Sequence, residues 1–181
     1  MQLDSMKKTK CSSLLITMPI ILTIGLLGYS LQNFIAFTNA QESETQYSTV
    51  LSGDEEVPPV DTQAVGIADF APAENSVEYT INATEIEGTT AGHIHFGIEG
   101  ENGPIIVTLF KYDTPQNQVS ESGTITAGNL TGPLQGMQVS DLIDAFNEGN
   151  TYANIHTEKN PYGEIRGQII DLDLQMNTEE Q

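Results

Sequence analysis

The sequence predicts an all-β fold: a β-sandwich or barrel of about eight strands with one short helix. Three observations carry this. Short strand-like runs recur across residues 47–171 with Gly, Pro, Asn and Asp between them. One of them, Ser76–Asn82, alternates cleanly, with Val77, Tyr79 and Ile81 on one face and Glu78, Thr80 and Asn82 on the other. A single stretch, Ser140–Glu148, has helical spacing instead. A chain of 181 residues suits one core-sized domain, and 38% apolar with 17% charged residues suits a folded one.

The elements follow in order. Tyr47–Ser52 is the first strand, and the Pro58-Pro59 break separates it from Ala64–Phe70. Ser76–Asn82 and Gly92–Gly97 come next. The turn Glu99-Gly100-Glu101-Asn102-Gly103 leads into Pro104–Phe110, where Ile105, Ile106 and Val107 read as the most buried run. Gly123–Ala127 is a shorter strand. In the helix, Ser140 is the expected cap, Asp141 suits the positive end of the helix dipole, and Gly149 is the expected stop. Leu142, Ile143 and Phe146 share its apolar face, which would cover an end of the sandwich. Thr151–Thr157 and Gly163–Asp171 complete the series. The β domain spans residues 41–174, and residues 175–181 form a polar tail.

Residues 1–40 have a different character. Lys7, Lys8 and Lys10 precede an apolar run from Leu14 to Leu31, and Thr38-Asn39-Ala40 places small residues at a cleavage position. That order is the pattern of an export signal peptide. The run also approaches the roughly 20 residues that cross a bilayer, so an uncleaved N-terminal membrane anchor is the alternative. Either way the rest of the chain is expected outside the cytoplasm, extracellular or at the cell surface. The one cysteine, Cys11, lies in this leader, so no intramolecular disulfide can form.

The chain has 25 acidic and 6 basic side chains, of which the leader holds Asp4 and the three lysines. Residues 41–181 therefore carry 24 acidic against 3 basic groups, a net charge of −21. Such a surface excludes nucleic acid as a partner, because phosphate contacts need Lys and Arg. A protein or carbohydrate ligand at the cell surface would have to use local pockets. A membrane would be met only through an uncleaved leader. Asn82-Ala83-Thr84 and Asn129-Leu130-Thr131 are glycosylation-type triplets.

Chemistry is concentrated in few residues. No nucleophile elbow, phosphate loop or calcium loop is present, and no catalytic residue stands out. The three histidines are His93, His95 and His156. His93 and His95 are two apart on a strand and so share a face, opposite the core residue Ile94. His156 lies opposite Ile155 in the same way, and Arg166 alternates with Ile165. Three outward imidazoles from two strands suit copper or zinc, with a coordination position left open to solvent. The simpler reading is that each histidine bonds neighbouring backbone.

Leu51-Ser52-Gly53 with Glu56-Val57-Pro58-Pro59-Val60, then Ala91-Gly92-His93-Ile94-His95-Phe96-Gly97, then Leu130-Thr131-Gly132-Pro133-Leu134 stand in order along the chain. These blocks resemble the CHRD domain, the module of chordin and of many microbial exported proteins. The closing stretch is the most specific: Tyr152-Ala153-Asn154-Ile155-His156-Thr157, followed by Pro161-Tyr162-Gly163-Glu164-Ile165-Arg166-Gly167-Gln168. The resemblance implies a binding or envelope module rather than an enzyme. A more distant likeness is to Cu/Zn superoxide dismutase, and it implies a Greek-key β-sandwich. It implies that His93, His95 and His156 hold copper, and that Arg166 guides a small anion if the site is redox-active. No histidine remains for a copper–zinc bridge, so a two-metal dismutase is excluded on ligand count.

Mass spectrometry of the native protein should show an N-terminus near Gln41, or an intact leader in the membrane fraction. A soluble cytoplasmic protein that keeps its leader would contradict both forms of export.

Overall fold

The computed structural model describes residues 46–173, so the leader and the tail from Leu174 lie outside the described residues. Among the described residues nine strands form a single antiparallel system: β1 (Tyr47–Ser52), β2 (Val65–Ala73), β3 (Ser76–Thr84), β4 (Thr89–Phe96), β5 (Ile105–Gln116), β6 (Val119–Ile125), β7 (Thr151–Thr157), β8 (Ile165–Gln168) and β9 (Ile170–Asp171). Helix α1 (Val139–Asn147) and two 3₁₀ turns lie between β6 and β7. The hydrogen-bonded order is β5-β4-β7-β8-β1-β2-β3-β6, with β9 beside β1. The outermost strands, β5 and β6, are consecutive in the chain, and the sheet curls into a nearly closed sandwich. The all-β expectation is met.

Alternation decides which face each strand buries. In β3, Val77, Tyr79 and Ile81 are buried while Glu78, Thr80 and Asn82 are exposed. The Tyr79 hydroxyl donates across the core to the Leu109 carbonyl of β5. Ile94, Ala153, Ile155 and Ile165 supply the core from the β4–β7–β8 side, each fully buried. The helix closes one end: Phe146 packs on Tyr47 at 5.1 Å and on Phe70 at 5.4 Å between ring centroids. The Tyr47 hydroxyl donates to Asn147 Oδ1 at 2.7 Å.

Several expectations change. The strands β1 and β7 fall where the sequence places them, but β5 and β6 run on as a hairpin through Gln116 and from Val119. Its outer part is mostly exposed and polar, so apolar periodicity does not mark it; cross-strand bonds such as Tyr112 Oη to Glu121 Oε1 hold it. Ile105 is 37% exposed, whereas Ile106 and Val107 are buried. The final strand divides into β8 and β9. Ser140 lies inside α1 rather than capping it; the Asp141 carboxylate accepts from the Gln138 N–H at 2.8 Å and starts the helix earlier. Gly149 ends the helix region with φ 66°, as expected.

Truncating Phe146 empties a fully packed aromatic junction. Phe146→Ala should lower the unfolding free energy by about 3–5 kcal/mol in a urea titration. A loss below about 1 kcal/mol would show that the helix does not seal the core.

Candidate metal centre

The register of β4, β7 and β8 builds one polar layer on the sheet face opposite the core. His93 pairs with Asn154, which pairs in turn with Arg166. His95 pairs with Tyr152, which pairs with Gln168, and Ala91 pairs with His156. The three imidazoles thus meet from two strands. Their rings lie 4.8 Å (His93–His156), 5.6 Å (His95–His156) and 5.8 Å (His93–His95) apart between centroids. One nitrogen of each lies within 4.8 Å of the other two. Imidazole binds zinc at roughly 2.0–2.1 Å, so small side-chain rotations would close the set on an ion.

The layer does not face solvent, which corrects the expectation of outward, water-exposed histidines. His95 and His156 are only 8% and 7% exposed, His93 is half-buried, and every residue of β7 is buried. Three loops cover it, formed by residues 53–64, 97–104 and 158–164. Asn102 Nδ2 donates to the Val57 carbonyl at 2.7 Å, joining the first two. Thr62 Oγ1 donates to Glu164 Oε1 at 2.7 Å, joining the first to the third. Alternation along a strand shows which side is not core. It cannot show whether distant loops fold over that side.

The loops also set the histidine tautomers. His95 Nδ1 donates to the Gly103 carbonyl at 2.9 Å, and His156 Nδ1 to the Pro161 carbonyl at 3.2 Å. A neutral imidazole protonated on Nδ1 has a bare Nε2. Both Nε2 atoms are buried with no hydrogen-bond partner, and so is His93 Nδ1. Three unpartnered ring nitrogens in one buried cluster could hold a metal ion, with backbone carbonyls as the outer supports of His95 and His156.

Further residues shape the centre. Tyr152 stacks on His95 at 4.9 Å and 11°, and the Arg166 guanidinium lies 4.4 Å over the Tyr152 ring. The Gly103 N–H donates to the Tyr152 hydroxyl at 3.0 Å, so the backbone of one residue holds both rings of the stack. A Cβ at Gly103 would overlap the Phe96 carbonyl, which explains glycine there. Arg166 is 2% exposed and donates to the Glu101 carbonyl and Asn102 Oδ1 at 3.1 and 3.2 Å. Glu56, 5% exposed, accepts from Asn154 Nδ2 at 3.4 Å. The sequence signal for Tyr152 and Glu56 was their place in the quoted blocks; their contacts across the layer had none.

Electrostatics match the geometry. Burial, then the neighbouring imidazoles of His156 and His95 and the Lys111 ammonium, hold His93 down at about 3. Burial and His95 hold His156 at about 4, against a weaker upward pull from Pro161. Burial lowers His95 as well. Burial pushes Glu56 up to about 7, although Arg166 and Asn154 favour its anion.

A family model for the CHRD domain matches residues 47–169. No curated protein and no solved structure matches the chain.

The histidine shifts have a signed consequence for stability. Unfolded histidines take up protons near pH 6.5 while the folded ones stay neutral, so stability falls as pH drops from about 6.5 toward 4. Glu56 acts with the opposite sign, losing its contribution as pH rises from about 4.5 to 7. Histidine proton resonances followed by NMR should show His93 and His156 neutral at pH 5. Midpoints near 6.5 for all three would mean that the loops do not seal the layer.

Proposed function

The chain belongs to the CHRD-domain family, and from that premise we propose that it is an exported cell-surface module that binds one copper ion, or zinc, through His93, His95 and His156. The observation that carries the reading is the buried set of unpartnered ring nitrogens, His93 Nδ1, His95 Nε2 and His156 Nε2. A sealed polar layer gains nothing from three orphaned ring nitrogens, and leaving them unmatched costs stability. An ion would match all three at once. A nitrogen-only set ranks copper(II) above zinc by the divalent-metal order, and the neutral imidazoles need lose no proton to bind.

The ion would supply Lewis acidity and, for copper, a one-electron couple; the chain itself holds and orients the ligands. Arg166 supports a holding role more than an anion-guiding one, because its guanidinium is stacked on Tyr152 and donates into the 97–104 loop. The basic–apolar–small order of residues 1–40 supports export. Among the described residues no helix is long and apolar enough to cross a membrane. A protein or carbohydrate partner in the envelope would engage a local surface, since the described residues include only Lys111, Lys159 and Arg166 as cations.

Protein purified without a histidine tag should carry up to one copper or zinc per chain by elemental analysis. Copper(II) added to the metal-free protein should give an electron paramagnetic resonance spectrum with nitrogen coupling. His93→Gln with His95→Gln should abolish that coupling, and His156→Gln should weaken binding at least about tenfold, or 1.4 kcal/mol. Because His95 and His156 are buried, each variant needs a thermal melt beside it. A spectrum without nitrogen coupling in the wild type would sink the metal reading.

A further inference from the structure

We propose that Glu56 is the charge-compensating group of the three-histidine centre, a carboxylic acid while the imidazoles hold no ion and a carboxylate once a divalent ion enters. The inference rests on the metal reading above and adds a regulation to it: ion binding is coupled to release of one proton.

The starting point is a mismatch of donors and acceptors. Glu56 Oε1 is buried with no hydrogen-bond partner, and Asn154 Oδ1 beside it is in the same state. The one bond between the two side chains, Asn154 Nδ2 to Glu56 Oε2, is long at 3.4 Å. Two stranded acceptor oxygens in one pocket lack a hydrogen, and a protonated carboxyl supplies one. Gly163 closes the pocket: a Cβ there would stand 2.5 and 2.6 Å from the Glu56 oxygens and 2.7 Å from Asn154 Nδ2. No ion pair to Glu56 forms among the described residues.

Position links this carboxyl to the metal centre. Asn154 is the register partner of both His93 and Arg166, so it stands one strand spacing, about 4.8 Å, from each backbone. The charged or titratable groups that act on Glu56 are Arg166 from β8 and Glu164 from the 158–164 loop, and His93, His95 and His156 share its layer. Glu164 is already held as a carboxylate by Thr62, Thr157 and Asn160, so it has no proton to release when a cation enters. With neutral imidazoles the layer holds the Arg166 cation. A divalent ion would add two positive charges where water is excluded, and an anion formed nearby offsets much of that cost. Glu56 is the carboxyl that can form it. The raised proton affinity that burial gives Glu56, to about 7, places the exchange near neutral pH. In the step the Glu56 O–H bond breaks, its electron pair stays on the carboxylate, and the proton passes to water. No electron is transferred, and the imidazoles release nothing.

The test is zinc binding to the untagged, metal-free full chain, by calorimetry in buffers of different ionisation enthalpy. At pH 6 a group that titrates at about 7 is roughly nine-tenths protonated, so close to one proton should be released per zinc. At pH 8 release should fall toward none. Glu56→Gln should abolish release at pH 6 and weaken zinc binding at pH 8 at least tenfold. Infrared difference spectra of the wild type give a second readout that does not depend on the variant folding: a carboxylic-acid carbonyl band at pH 6 should vanish on adding zinc. Zinc bound without proton release and without loss of that band overturns the inference and leaves the metal reading intact. Undiminished release in a folded Glu56→Gln variant overturns it equally. A wild type that binds neither zinc nor copper removes the metal reading itself.

Discussion

Strand β7 is buried on both of its faces, and the rest of the architecture answers to that constraint. One face, Ala153 and Ile155, is core and needs only apolar neighbours. The other, Tyr152, Asn154 and His156, is polar and must find partners without water. Three loops supply them. Gly103 serves His95 and Tyr152, Pro161 serves His156, and Glu56 serves Asn154. The loops are in turn tied to one another through Asn102 and Glu164. A domain without a disulfide therefore holds these three connections through polar bonds, most of them at least partly buried, which are strong where water is excluded and costly where they are incomplete.

The incompleteness is local. Among the buried side-chain atoms without partners, three are imidazole nitrogens of one cluster and two belong to the Glu56–Asn154 pair beside it. Thr89 and Thr151 hydroxyls complete that set. Structural layers leave few such atoms, and here most of them gather around one point. That pattern supports the proposed metal reading over a purely structural layer. Simple backbone bonding of the histidines accounts for the Nδ1 atoms of His95 and His156, but not for the opposite ring nitrogens or for His93 Nδ1.

The charge distribution has two scales. Over the whole surface the excess of carboxylates repels polyanions and other copies of the chain. Inside the layer a cation is buried as well: Arg166 lies beside Glu56 and Glu164, and the exposed Lys111 is close enough to His93 to oppose its protonation. Cation–π contact with Tyr152 and two bonds to the 97–104 loop make the buried guanidinium tolerable. Its charge is thereby spent on holding the loop and the aromatic stack that orients His95.

Much of this was legible in the sequence. The bounds of β1 and β7, the two faces of β3, and the placing of His93, His95, His156 and Arg166 on one side of the sheet all follow from period-two alternation. The quoted blocks likewise pointed to the CHRD family. Alternation is a local property, and it says only which side of a strand is not core. Whether that side is wet depends on loops tens of residues away in the chain, and no local pattern encodes their path. The tertiary structure therefore decided the burial of His95 and His156, the tautomers imposed by Gly103 and Pro161, and the meeting of Glu56 with Asn154 across 98 residues of sequence. The same physics explains the missed hairpin: the outer parts of β5 and β6 are held by cross-strand bonds, with little apolar burial to mark them.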